Sequence, residues 1–169
     1  FSFIAIPLFM LAGTLMNASG ITEKLIYFCR ALVGHWKGGL GHATVITGML
    51  MAGVSGSSVA DSSAISTVLV PQLEKEGYDR GYACALISSA GSLGPIIPPS
   101  IIMIVYSGVV SISVGELFMS GLVPGIILGI GMMIYNYYYA TKRGIPKTQF
   151  VGVANVGRAF IHCLGALIM

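Results

Sequence analysis

Charged residues are scarce in this chain of 169 residues, and their scarcity excludes an ordinary soluble domain. Asp, Glu, Lys and Arg make up 9% of the sequence, against roughly 25% in a typical soluble domain, and the mean hydropathy is +0.86. The net charge of +3 is small, and the basic residues stand near the ends of apolar runs, so nothing indicates a nucleic-acid partner. The composition predicts an integral protein of the lipid bilayer.

Cysteine is rare as well. Cys29, Cys84 and Cys163 stand singly, without the spacing of metal ligands, and we expect them to be small buried hydrophobic residues rather than ligands of a transition metal. The chain begins with Phe, and apolar runs are under way at both ends. It is therefore expected to be a fragment of a longer polypeptide, and no signal peptide can be judged from it.

Against this apolar background, residues 53–63 form a polar stretch broken by glycine. Apolar runs flank it at 40–52 and 59–73, and the only charge in either run is Asp61. A carboxylate at membrane depth costs roughly 2.5–3.5 kcal/mol on insertion scales, which makes such a residue a candidate functional site. We interpret this stretch as the tip of a re-entrant helical hairpin that binds a cation.

The distribution of basic residues gives a topology for this hairpin. Three basic clusters occur along the chain: Lys24, Arg30 and Lys37; Lys75 and Arg80; and Lys142, Arg143 and Lys147. If all three are cytoplasmic, the chain crosses the membrane an even number of times between them. The interval 38–73 is too short for two full spans of about 20 residues. It fits two half-length helices that enter and leave on one side, with the non-helical backbone at their tip buried in protein or lining a cavity.

The second interval has room for two crossings. The first, 81–110, is interrupted at 91–100 by two glycines and three prolines, so we predict a helix that breaks near mid-membrane. An outer turn follows at 111–115. The second crossing, 116–140, should be kinked at Pro124-Gly125 and ends in tyrosines typical of the membrane interface.

The two ends of the chain complete the predicted all-α fold, that of a polytopic membrane protein. Residues 1–38 comprise the end of a scaffold transmembrane helix and an interfacial amphipathic helix over 22–37, which Thr22 could cap. A surface helix against a soluble domain is the alternative for that segment. Residues 39–110 hold the hairpin (39–73) and the broken helix, and residues 111–169 hold the second crossing, a cytoplasmic linker and the start of another helix near residue 156.

Two interrupted helices in one chain indicate the binding site of a secondary transporter. Both breaks are rich in oxygen and lack thiol and imidazole groups, so the hypothesis is a sodium site shared between them. The candidate sodium-binding residues are Ser55, Gly56, Ser57, Ser58, Asp61, Gly91, Ser92 and Gly94, and the candidate substrate-binding residues are Ser57, Ser58, Pro98, Pro99 and Ser100. Two local alternatives remain: Ser58 and Asp61 match a helix-capping pattern, and the positive end of that helix could face an anionic substrate group.

Four motifs in order carry a family resemblance. They are Ser55-Gly-Ser-Ser-Val-Ala-Asp61; Val70-Pro-Gln-Leu73 with Glu76-Gly-Tyr78; Gly94-Pro-Ile-Ile-Pro-Pro-Ser-Ile101; and Gly121-Leu-Val-Pro-Gly125. Together they resemble the large membrane (permease) subunit of the tripartite ATP-independent periplasmic (TRAP) transporters, over nearly the whole chain.

That resemblance implies a sodium-coupled importer of an organic acid, such as a C4-dicarboxylate or a sugar acid. It implies a small membrane subunit and a periplasmic substrate-binding protein as partners, in the cytoplasmic (inner) membrane of a bacterium or archaeon. It also implies an elevator mechanism, in which a transport domain slides against a scaffold. Members of the family have a second, inverted copy of the hairpin and broken helix, which this chain lacks, so the chain would hold one half of the site.

Two other functional classes, an enzyme and a channel, compete with this interpretation. Gly53-Val-Ser-Gly56 matches the Gly-x-Ser-Gly of rhomboid intramembrane serine proteases, but a serine nucleophile needs a base within reach. The predicted topology places none of His35, His42 and His162 well for that role. An ion channel would need a continuous pore, whereas half-helix tips usually close one side at a time. A carrier, rather than an enzyme, is the prediction.

Overall fold

The computed structural model describes residues 7–8, 11, 13–15 and 20–147, and this part of the chain is helical without a β-strand. The described positions among 7–15 are all helical. Six helices follow: α1 (Ile21–Val33), α2 (Gly39–Ser55), α3 (Ser58–Lys75), α4 (Arg80–Gly91), α5 (Ile101–Val110) and α6 (Val114–Arg143). The predicted all-α fold is confirmed. The predicted helix near residue 156 lies outside the described residues, as does most of the first segment.

Helices α2 and α3 form a hairpin whose tip is Gly56 and Ser57. Gly56 has a φ of 58°, in the left-handed region that favours glycine, and Ser57 is extended, so the chain reverses there. The Gly56 amide still donates to the Ala52 carbonyl over 3.2 Å and so closes the last turn of α2. At the open end, the Tyr78 hydroxyl donates to the Gly38 carbonyl over 3.0 Å. The residues that enter and leave the hairpin therefore lie at the same end of the protein, which is the arrangement that re-entry from one side requires.

Helix α2 is the centre of the fold because it is apolar on all its faces. It packs against α1, α3, α4 and α6. Leu40 and Met51 from α2, Leu69 from α3 and Ile87 from α4 share one core and are almost fully buried. The hairpin is thus held between the first helix and the broken helix.

The predicted broken helix is present as α4 and α5, separated by the irregular segment 92–100. Ser100 begins α5: its hydroxyl oxygen accepts a hydrogen bond from the Met103 amide over 3.4 Å, and the hydroxyl donates to the Pro95 carbonyl over 2.9 Å. A left-handed residue, Ser111, ends α5. The connection to α6 is shorter than the predicted turn at 111–115, because α6 already begins at Val114.

Helix α6 is the one helix of the described residues that is long and apolar enough to cross a membrane. Its 30 residues, with a hydropathy of 2.1, would extend about 45 Å, and the helix continues through Pro124. Gly121, Gly125 and Gly129 form its buried stripe, where close backbone approach replaces side-chain packing. A methyl group placed on Gly125 would lie 2.5 Å from Ile97 Cγ1. Most of the opposite face is exposed.

The basic clusters meet at one end of the structure. Lys37 and Lys147 form an isolated antiparallel bridge, and Arg30 of the first cluster contacts Glu76 beside the second, over 2.7 Å. The side of the membrane on which this end lies stays a prediction.

Helix α1 packs against α2 through Cys29, Val33 and Ala43. The predicted cap at Thr22 is wrong: Gly20, in a left-handed conformation, is the N-cap, and Thr22 is buried in the first turn. The helix begins earlier than predicted because Gly20 can adopt that conformation without steric cost.

Candidate functional site

The two breaks touch each other through their backbones. A methyl group placed on Gly94 would lie 3.2 Å from the Ser58 amide nitrogen, and one on Gly56 would lie 2.9 Å from the Pro99 carbonyl oxygen. A methyl group on Gly91 would collide with the hydroxyl of Ser62. Glycine at these three positions lets the tip of the hairpin reach the second break, because any side chain would separate them.

Asp61 is fully buried close to this contact, one turn into α3. Its Oδ1 accepts a hydrogen bond of 2.6 Å from the Ser55 hydroxyl, and the Ser55 oxygen accepts another, of 3.0 Å, from the Ser57 amide. The second carboxylate oxygen, Oδ2, has no hydrogen-bond partner among the described residues. A buried carboxylate is costly unless its charge is paired and its oxygens are bonded, so this oxygen calls for a further partner.

The predicted capping role of Asp61 is wrong. Ser57, and not Ser58, is the N-cap of α3, and no side chain caps that helix. Asp61 instead accepts from Ser55 at the end of the preceding helix. The capping pattern considers only residues within one helical turn, whereas the reversal at Gly56 brings the previous helix back over Asp61.

The other predicted site residues divide into two groups. Pro99 contributes its carbonyl beside Gly56, and Pro98 places its carbonyl 3.5 Å from a methyl group added at Gly53. Ser92 has an exposed side chain, and its hydroxyl donates to the Ser89 carbonyl over 2.7 Å. Ser100 is fully buried, but its hydroxyl is engaged in the start of α5. The structure therefore brings the hairpin tip, Gly91, Gly94 and the proline carbonyls together, while the side chains of these two serines bond to nearby backbone.

The donor set of this region suits a hard cation. Hydroxyl, carboxylate and carbonyl oxygens are present, and no group of three or more His, Cys, Asp or Glu side chains that could hold a metal ion occurs in the part of the chain described. Oxygen donors favour alkali and alkaline-earth ions over transition metals. The next basic residue of α3, Lys75, stands fourteen positions beyond Asp61, about 21 Å along the helix. It is too far away to neutralise the carboxylate.

A second polar cluster, which the sequence analysis missed, closes the open end of the hairpin. Asn136 of α6 is fully buried, and its Nδ2 donates to the Gly38 carbonyl over 3.1 Å. Its Oδ1 accepts from the Tyr82 hydroxyl over 3.4 Å, and it lies 3.3 Å from the Tyr78 hydroxyl oxygen, whose one proton it shares with the Gly38 carbonyl. Tyr139, which is half-buried, stacks on Tyr82 with ring centroids 3.5 Å apart. The sequence signal for this cluster was a single Asn within an apolar span.

The surroundings of Ser55 differ from those of a serine-protease nucleophile. Its hydroxyl donates to a carboxylate and not to a histidine. His42 lies thirteen positions earlier on the same helix, about 20 Å away. His42 is therefore too far from Ser55 to serve as the base that acyl transfer needs.

Comparison with known proteins identifies relatives over the whole chain. The family model described as "Tripartite ATP-independent periplasmic transporter, DctM component" matches residues 1–169. The chain is 38% identical to the 2,3-diketo-L-gulonate TRAP transporter large permease protein of Escherichia coli, with 100% of this chain and 40% of the relative covered. It is 41% identical to the C4-dicarboxylate TRAP transporter large permease protein of Vibrio cholerae (90% and 34% covered), and 36% identical to the sialic acid large permease protein of the same species (88% and 36%). It thus spans less than half the length of these relatives.

Proposed function

Because the chain belongs to the DctM component family of TRAP transporters, which are permease subunits and not enzymes, we propose that it provides one half of the ion and substrate site of a secondary importer. The importer carries an organic acid anion and is driven by a sodium gradient. The named relatives transport 2,3-diketo-L-gulonate, C4-dicarboxylates and sialic acid, all of them acids. The serine-protease alternative finds no support in this family.

The observation that carries this proposal is the buried carboxylate of Asp61, with one unpartnered oxygen close to the contact between the breaks. A cation bound there would offset the cost of burying that charge. Ser55 already holds the other carboxylate oxygen in position. The freed carbonyls around Gly56 and Pro99 would supply further oxygen ligands, since broken transporter helices coordinate sodium in this way.

The start of α3 is the proposed place for the substrate. Helix α3 begins at Ser58 without a side-chain cap, so its first amide groups and the positive end of its dipole remain available to an anion. Gly94 of the second break lies against this helix start. We therefore assign the substrate carboxylate to the start of α3, with Ser57 and Ser58 as hydroxyl donors, beside the cation that Asp61 attracts.

The proposal includes an assembly. A small membrane subunit and a periplasmic substrate-binding protein would complete the transporter in the cytoplasmic membrane of a bacterium or archaeon, where the chain crosses several times. The hairpin and the broken helix would move as one body in an elevator cycle, because they share the core around Met51 and Ile87. A second, inverted copy of these elements would complete the site.

Asp61→Asn tests the proposal in the complete transporter reconstituted in vesicles. This change removes the charge and keeps the size of the side chain, so sodium-driven uptake of the organic acid should fall at least tenfold, given the roughly 1.5–3 kcal/mol typical of bonds to charged groups. Asp79→Asn is the matched control, because Asp79 is exposed and caps α4 through the Tyr82 amide. Asn caps helices about as well as Asp does.

Four results separate the alternatives. Uptake that saturates and depends on both sodium and the binding protein supports a coupled carrier. Equal sodium dependence in the two variants would remove Asp61 from the site. Uptake driven equally well by a potassium gradient and by a sodium gradient would refute sodium as the coupling ion. Voltage-driven current without saturation would indicate a channel.

A further inference from the structure

An apolar groove of about 420 Å³ lies far from the two breaks, between α6 and the start of α2. Its lining residues are Trp36, His42, Ile130, Met133, Ile134 and Tyr137. His42 is 1% exposed, and neither of its ring nitrogens makes a hydrogen bond of ordinary geometry among the described residues. The backbone of Lys37 lies near its ring. A groove lined in this way suits a hydrocarbon chain with a polar group at one end.

The position of the groove along α6 places it within one leaflet of the bilayer. Ile130, its deepest residue on α6, is thirteen positions before Arg143 at the basic end, which is about 20 Å along the helix. Half of the hydrocarbon core is about 15 Å thick, and the headgroup region lies beyond it. Trp36 and Tyr137 lie towards the basic end, as interfacial aromatic residues do.

The rim of the groove carries positive charge that the protein itself does not neutralise. Lys37 follows Trp36 directly, and its backbone pairs with that of Lys147. The ion pairs found within 4.0 Å among the described residues use Arg30 and Arg80, so neither of these lysines has a carboxylate partner there. Two lysines whose backbones pair at headgroup level attract an anionic lipid, at about 1 kcal/mol for each Lys.

We propose that this groove binds one anionic glycerophospholipid, with an acyl chain along Ile130 and Ile134 and the phosphate at Lys37 and Lys147. The charge of the rim favours this occupant over a helix of a partner subunit, since an apolar helix would leave both ammonium groups unpaired. The lipid would contact both the entrance of the hairpin and α6. Asn136 joins the same two elements inside the protein through its hydrogen bond to the Gly38 carbonyl.

Native mass spectrometry of the complete transporter, incubated with equal amounts of phosphatidylglycerol and phosphatidylethanolamine, tests this site. Ile134→Trp fills the groove, and Val123→Trp is its matched control, since both residues are exposed on α6 (66% and 60%) and only Ile134 lines the groove. Retention of phosphatidylglycerol should fall about fivefold or more in Ile134→Trp and stay unchanged in Val123→Trp.

A pair of double variants tests the headgroup. Lys37→Gln with Lys147→Gln should lower phosphatidylglycerol retention about 25-fold, because each Lys contributes roughly fivefold to anionic lipid binding. Lys24→Gln with Lys75→Gln removes the same charge elsewhere and should have little effect. Equal retention in the filled and control variants would overturn the proposal, as would equal retention of the two lipids by the unmodified protein. A photo-crosslinker at position 134 that captures the small subunit instead of lipid would overturn it as well.

Discussion

Replacing Gly91 with alanine tests whether the two breaks must touch for the site to work. The added methyl group would collide with the Ser62 hydroxyl, and it would also lie 3.1 Å from Ser62 Cβ and 3.2 Å from the Ser58 carbonyl oxygen. The hydroxyl can rotate away, but the Cβ and the backbone oxygen move only if the hairpin tip shifts. Overpacking of this kind costs about 1–3 kcal/mol, against a gain of up to ~1 kcal/mol from replacing glycine in a helix.

Gly131→Ala is the matched control. Gly131 is an exposed helical glycine of α6 with no atom within 4 Å of an added methyl group, so the same change brings only the gain in helix propensity. Sodium titrations of uptake should give an apparent sodium affinity roughly 5- to 150-fold weaker for Gly91→Ala. This range corresponds to a coupling free energy of about 1–3 kcal/mol between the contact of the breaks and sodium binding. The control should match the unmodified protein.

A second substitution sharpens the result. Ser62→Gly removes both the hydroxyl and the Cβ that the new methyl group meets, and should restore part of the sodium affinity in the Gly91→Ala background, although glycine costs about 1 kcal/mol in a helix. If Gly91→Ala titrates with sodium as Gly131→Ala does, and its thermal unfolding is also unchanged, the breaks do not form a shared site.

Three further predictions concern the open end of the hairpin. Tyr78→Phe should lower stability by roughly 0.5–1.5 kcal/mol, because it removes a buried hydrogen bond to the Gly38 carbonyl, which keeps Asn136 as a donor. Tyr138→Phe, on a ring 62% exposed, should change thermal unfolding little. In a cysteine-free background, Lys37→Cys and Lys75→Cys should be labelled by an impermeant maleimide from the same side of the membrane; labelling from opposite sides would exclude re-entry. Burial raises the pKa of Glu76, although its ion-pair partner Arg30 lowers it. The contribution of Glu76 to stability is therefore full below the ordinary pKa of the carboxyl and is lost as pH rises through the raised pKa. Glu76→Gln should cost less stability at neutral pH than at pH 4.5, and an equal cost at both values would contradict the raised pKa.

Much of the fold could be predicted from local composition. The glycines and prolines of residues 91–100 interrupt any helix, so the break between α4 and α5 needed no tertiary information. The hairpin followed from charge and length, since 38–73 is too short for two spans. The helix bounds were predicted less closely than the helices themselves, since α6 begins at Val114, two positions before its predicted start.

The interior of the site could not be predicted in the same way, because its contacts join residues that local patterns treat separately. The Ser55–Asp61 hydrogen bond depends on the reversal at Gly56, and the capping pattern pointed elsewhere. Asn136 meets Gly38 across 98 positions of sequence, a pairing that no periodicity encodes.

The sequence by itself determined that this is a helical membrane protein with two broken elements rich in oxygen, because low charge, apolar runs and glycine and proline act through composition and local backbone preference. Only the tertiary structure decided that the two breaks touch, that Asp61 is sealed between helices with one oxygen unpartnered, and that Asn136 closes the hairpin. Burial and contact between distant residues arise from packing, and packing depends on how all the helices fit together.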